Sequence, residues 1–102
     1  MDYEVVWTER AISDLEAAIH SIAIEVPLSA ERLRLDLLES VAFLSRFPSI
    51  GPIYERLRAR RVREYLCNRY RIFYQIDEQI LRIEILMIWH SSRKEPRIFG
   101  RN

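Results

Sequence analysis

The hydrophobic repeat of this chain changes period once, and that change confines it to a few architectures. The switch falls at Pro48-Ser49-Ile50-Gly51-Pro52, the one proline- and glycine-rich stretch in the sequence. Before it, apolar residues recur at the three-to-four spacing of a buried helix face. After it they alternate, as half-buried strands do. A chain that places its helices first and its strands second folds as α+β, with the helices gathered on one face of a sheet.

In the first half, Tyr3–Trp7 is a short β-branched and aromatic run that reads as a strand. Thr8 is placed to cap a helix, with Glu9 near the positive end of the helix dipole. Ala11, Ile12, Leu15, Ala18, Ile19 and Ile22 then form one apolar stripe. Pro27 ends this helix and Ser29 is the expected cap of a second. The second inner stripe reads Leu33, Leu37, Val41 and Leu44, broadened by Leu38 and Phe43. It should end near Phe47, because Pro48 disfavours helical geometry in the residue before it. So short a connection predicts an antiparallel helical hairpin.

In the second half, Arg61–Leu66, Arg69–Ile76 and Ile80–His90 each alternate, and Asp77-Glu78-Gln79 forms a tight turn. Short connections between alternating runs predict an antiparallel meander. The expected order is βααβββ: a single domain over residues 1–102, with the hairpin packed on one face of a small, mainly antiparallel sheet. Gly51 and Gly100 are the only glycines, so the chain has no glycine-rich phosphate loop.

Charge divides at the same place as the hydrophobic period. Residues 1–55 hold four Lys/Arg against ten Asp/Glu, whereas residues 56–102 hold twelve against five. A net charge of +1 therefore conceals an acidic helical half and a basic strand half. Either the halves pair with each other, or the basic half meets an anionic partner. Cys67 is the only cysteine, which excludes an internal disulfide and a thiolate metal cluster and fits a reducing compartment. The two histidines, His20 and His90, are far apart and belong to no metal-binding spacing, so neither metal nor cofactor is expected. Met1-Asp2-Tyr3-Glu4 starts no signal-like run, and the longest apolar stretch, Ile85–Trp89, is too short to cross a bilayer. The expected location is the cytoplasm.

Alternation also predicts which side chains share a face. Val62, Leu66, Tyr70, Ile72, Tyr74, Leu81, Ile83, Ile85 and Met87 should meet the helices. The open face should then present Arg61, Arg63, Arg69, Arg71, Gln75, Arg82 and His90, with Tyr65 and Phe73 among them. Guanidinium groups interleaved with aromatic rings suit single-stranded nucleic acid; an ordinary sheet face covered by arginine stems has the same pattern. Arg56, Arg58 and Arg60 lead into this surface, and Glu55 is the acid just before them. RNA cleavage needs a base for the 2′-hydroxyl, cations around the phosphorane and an acid for the leaving oxygen. Glu55, Arg71 and His90 would supply these roles if the fold brought them together; a structural ion pair for Glu55 and a structural role for His90 are the alternatives.

Val5-Val6-Trp7-Thr8 with Ala11 and Asp14-Leu15, Leu44-Ser45-Arg46-Phe47-Pro48-Ser49-Ile50-Gly51, Arg61-Val62-Arg63-Glu64, Tyr70-Arg71-Ile72-Phe73-Tyr74, and Ile85–Ile88 leading to His90 and Arg93 occur in an order that resembles the RelE/ParE superfamily of bacterial toxins. The resemblance covers nearly the whole chain. It implies a helical hairpin on a small sheet and a toxin of a type II toxin–antitoxin system, neutralised by a cognate antitoxin encoded beside it. RelE-like members cut mRNA on the ribosome, which would make Glu55, Arg71 and His90 catalytic. Arg58, Arg61, Arg63, Arg69 and Arg93 would then contact RNA or another target. ParE-like members inhibit DNA gyrase without being enzymes. The stretch Ser91-Ser92-Arg93-Lys94 lacks the tyrosine many ribosome-dependent members carry after the last strand, and Trp89-His90-Ser91-Ser92-Arg93 is closer to ParE-like members. A decayed toxin acting only as a binding module is the third expectation.

Overall fold

The computed structural model describes residues 2–99; Gly100 lies outside them. The order is β1 (Glu4–Trp7), α1 (Glu9–Ala23), α2 (Pro27–Arg46), β2 (Arg63–Cys67), β3 (Tyr70–Asp77) and β4 (Arg82–His90). Short 3-10 turns at Pro48–Ile50 and Glu55–Arg60 carry the chain from α2 to β2. The sheet order is β1-β4-β3-β2. β4–β3–β2 is the antiparallel meander, and β1 returns to pair parallel with β4 at the edge.

Both helices follow from their sequence. Thr8 caps α1, its side-chain oxygen accepting the Ala11 N–H at 3.1 Å. Ser29 is not the cap of α2: Pro27 takes the first helical position, where its missing N–H costs nothing, and Ser29 lies within the helix. The α2 stripe Ala30, Leu33, Leu37, Val41 and Leu44 is buried, joined by Ala11 and Ala18 of α1. Ile12, Leu38 and Phe43 stay exposed on the helix flanks instead of widening the core. Emptying a site as closed as Leu37 or Leu44 to alanine removes about 2–5 kcal/mol.

β3 alternates as its sequence dictates. Ile72 and Tyr74 face the hairpin with Ile83 and Ile85 of β4, and Tyr70 packs against the same core. Two other strands depart from simple alternation. In β4 the register to β3 shifts between Phe73 and Tyr74: Tyr74 pairs with Ile85, whereas Phe73 pairs with Met87. Leu86 is the extra residue of a bulge, and the bulge inverts the phase of everything after it. Met87 moves to the face away from the helices, while Ile88 and His90 move to the helix side. In β2, Glu64 pairs with Phe73 and Leu66 with Arg71, so the strand is one residue out of the expected phase. Tyr65 and Cys67 thus pack toward the hairpin, with Tyr65 against Phe43. Leu66 and Leu81 are exposed, and Val62 joins Met87 on the far face.

The bulge is held by the N-terminal end of α1. The Thr8 hydroxyl donates to the Ile85 carbonyl at 2.9 Å, and the Asp14 carboxylate accepts the Ile88 N–H at 3.1 Å. Both residues belong to the opening motif of the sequence.

The face away from the helices is not open. Leu57 of the Glu55–Arg60 turn, with Tyr54 just before it and Val62 just after it, folds beneath it and buries Phe73, Leu86 and Met87; Trp89, Ile98 and Phe99 complete this second core. A strap, residues 91–99, follows β4 back under the sheet. Among the described residues no helix is long and apolar enough to cross a membrane.

Candidate functional site

Arg71 is the centre of the covered face. β3 places it opposite Trp89 and Leu66. Its Nε donates to Glu64 Oε1 at 3.0 Å; Nη1 and Nη2 donate to the two Glu95 oxygens at 3.0 and 3.3 Å. The guanidinium lies 4.8 Å from the Phe73 ring centre and 5.5 Å from that of Tyr54. Tyr54 donates its hydroxyl to Glu95 at 2.5 Å. The Arg71 side chain is 14% exposed. Burial, then the hydrogen bond to Glu95, pushes the Tyr54 hydroxyl up to about 12. The Arg71 and Tyr54 hydrogen bonds hold the Glu95 carboxyl below the usual range.

The strap bearing Glu95 is secured along its length. Trp89 Nε1 donates to the Lys94 carbonyl at 2.9 Å, and the Arg93 guanidinium stacks 3.8 Å from the Trp89 ring centre. Arg60 lies 4.3 Å over the Phe99 ring. These cation–aromatic contacts occupy arginines that the sequence offers to a target.

His90 is elsewhere. The bulge sends it to the helix side, where its ring meets Tyr70 edge-on at 5.0 Å. Its Nδ1 accepts the Ser92 N–H at 3.2 Å and lies 2.7 Å from the Ser92 hydroxyl. A backbone N–H can only donate, so the neutral ring carries its proton on Nε2. Arg71 and His90 therefore face opposite sides of one sheet, and the shared open face expected from alternation does not form.

Glu55 opens the Glu55–Arg60 segment and pairs with Arg58 three residues on. That hydrogen bond holds its carboxyl below the usual range, making it a weaker proton acceptor. Both side chains are well exposed, so the pair adds little stability.

The remaining arginines serve diverse ends. Arg63 donates to the carbonyls of Ser49 (3.1 Å) and Gly51 (2.6 Å), fixing the turn to β2. Arg61 sits in the left-handed region at the end of its 3-10 turn, and Arg69 in the β2–β3 turn. Neither has an ion-pair partner among the described residues. Among those residues no His, Cys, Asp and Glu cluster could hold a metal ion.

Tyr54, Glu64 and Glu95 are the members of the Arg71 cluster that alternation does not reveal. Their one sequence signal is indirect. Glu64 and Glu95 are acids inside a basic half, and Ile98-Phe99 is an apolar pair in a tail that would otherwise be polar.

Solved structures share this architecture. The toxin–antitoxin complex RelBE2 from Mycobacterium tuberculosis superposes with a TM-score of 0.63 at 26% identity, over 88% of this chain and 99% of the matched chain. The chromosomal ParDE system of P. aeruginosa gives a TM-score of 0.72 at 21% identity, over 86% and 95%, a likeness of fold. The hairpin over a mixed four-stranded sheet is the RelE/ParE-like fold. The chain belongs to the ParE toxin family of type II toxin–antitoxin systems, described as the ParE toxin of parDE, whose model matches residues 5–95. It is also 33% identical over 91 residues to the toxin RelE2 of Caulobacter vibrioides, covering 88% of this chain and 97% of that protein.

Proposed function

We propose that this toxin stops growth by binding DNA gyrase rather than by cutting RNA. The observation that carries the reading is the separation of Arg71 from His90 by the thickness of the sheet. Concerted cleavage needs its base, cation and acid around one phosphate. Here Arg71 is engaged by two carboxylates, Glu55 is a weakened base, and His90 is on the other face. A protein that acts by occupying a surface needs no such convergence.

A cognate antitoxin is the expected partner, as in the toxin–antitoxin complex of the Mycobacterium tuberculosis relative. We infer that an acidic antitoxin segment covers the basic half, where Arg61 and Arg69 retain unneutralised guanidiniums. Such an interface weakens as salt rises.

The competing reading, ribosome-dependent mRNA cleavage, draws on the likeness to the toxin RelE2. Expression of the Glu55→Ala/His90→Ala double variant without an antitoxin separates the two. Binding predicts growth arrest as severe as that of the unmodified chain; cleavage predicts its loss.

A further inference from the structure

A cleft of about 530 Å³ lies between the hairpin and the far end of β3–β4, on the side of the sheet opposite Arg71. Its size suits a small ligand. Two guanidiniums, Arg32 and Arg69, line it against one carboxylate, Asp36. Asp36 is already engaged, accepting from Asn68 at 3.0 Å and lying 3.5 Å from Arg32 Nε. The Arg69 guanidinium thus has no anion among the described residues. Beside it stands His90, whose Nδ1 is occupied by Ser92 so that Nε2–H is its donor. Ser21 and Ser29, one from each helix, also line the cleft, as do the apolar Ile22 and Leu33. Tyr70 also lines the cleft, its hydroxyl raised above its ordinary range by burial.

We propose that this cleft binds a phosphate-bearing small molecule of the nucleoside monophosphate class. Phosphate meets the Arg69 guanidinium and the His90 N–H. The sugar hydroxyls meet the serines, and the flat base lies against Ile22 and Leu33. The site is distinct from the Arg71 cluster and does not depend on how the toxin inhibits its target.

The test is a nuclear magnetic resonance titration of the full chain with AMP, with inorganic phosphate and with adenosine. AMP should shift the amides of Ser21, Ser29, Arg69 and His90 with a dissociation constant in the millimolar range or tighter. Phosphate alone should shift the Arg69 and His90 end. Adenosine should bind at least about tenfold more weakly than AMP. Arg69→Ala should weaken AMP binding about tenfold or more, and Arg69→Lys should restore part of it. Arg61→Ala, outside the cleft, should bind as the unmodified chain does. The Arg69 side chain has no ion-pair partner among the described residues, so Arg69→Ala should fold, as its unchanged remaining amide spectrum would report. The proposal is overturned if AMP moves none of these amides, if adenosine binds as tightly as AMP, or if Arg69→Ala binds AMP normally.

Discussion

Arg71 and Glu95, 24 residues apart, meet in a two-pronged ion pair that ties the tail of the chain to the middle of the sheet. Glu64 completes the set from the neighbouring strand. Arg71→Ala leaves two carboxylates facing an apolar core without their cation. Because both acids are partly exposed, the cost should be at the low end for a broken buried pair, about 3 kcal/mol. Urea unfolding measures it. Arg71→Lys should recover only part, because an ammonium cannot make the fork to Glu95.

The same cluster makes stability depend on pH at both extremes. Glu95 is held below its ordinary range, so its contribution is complete above the unfolded carboxyl value of about 4.3 and disappears as pH falls through the folded value. Tyr54 is raised to about 12, so its contribution is complete below about 10 and is lost as pH climbs between the two. Urea midpoints followed across both ranges should fall at each end, and Glu95→Gln should flatten the acid limb.

Gly51 is required for its lack of a side chain. A Cβ there would lie 2.6 Å from the Glu64 carbonyl oxygen and 2.6 Å from the Tyr74 hydroxyl. That hydroxyl donates to the Pro48 carbonyl at 2.6 Å and accepts the Gly51 N–H at 3.0 Å. Gly51→Ala should cost about 1–3 kcal/mol, and Tyr74→Phe a similar amount through the unpaired Gly51 N–H. The double variant should cost less than the two together, since both break the same bond.

Asp14 should matter for the bulge. Asp14→Ala removes the acceptor of the Ile88 N–H and the partner of Arg10, at a cost of about 1–2 kcal/mol. Hydrogen exchange at Ile88 should accelerate more than at Ile72 on the neighbouring strand.

These features mark where sequence reasoning succeeds. The α1 and α2 stripes and the β3 alternation are legible because polar residues punctuate them regularly. β4 is not, because Ile85-Leu86-Met87-Ile88-Trp89 is apolar at every position. Alternation there has no phase to read, and one inserted residue passes unseen. β2 fails for a related reason: Val62 and Leu66 argue for one phase, Tyr65 and Cys67 for the other, and the contact with Phe43 decides. The error in β4 carried His90 onto the face expected to hold Arg71, whereas the bulge sends it to the helix side. The strap has no periodicity, and its place is set by pairings to Arg71, Tyr54 and Trp89 that only the folded chain brings together.

The most direct test of the binding account sets two assays beside each other with one preparation of the toxin: supercoiling by purified DNA gyrase, and integrity of mRNA on programmed ribosomes. The account predicts that supercoiling is inhibited in proportion to toxin while the mRNA stays whole. Cleavage of the ribosome-bound message with supercoiling untouched would contradict it.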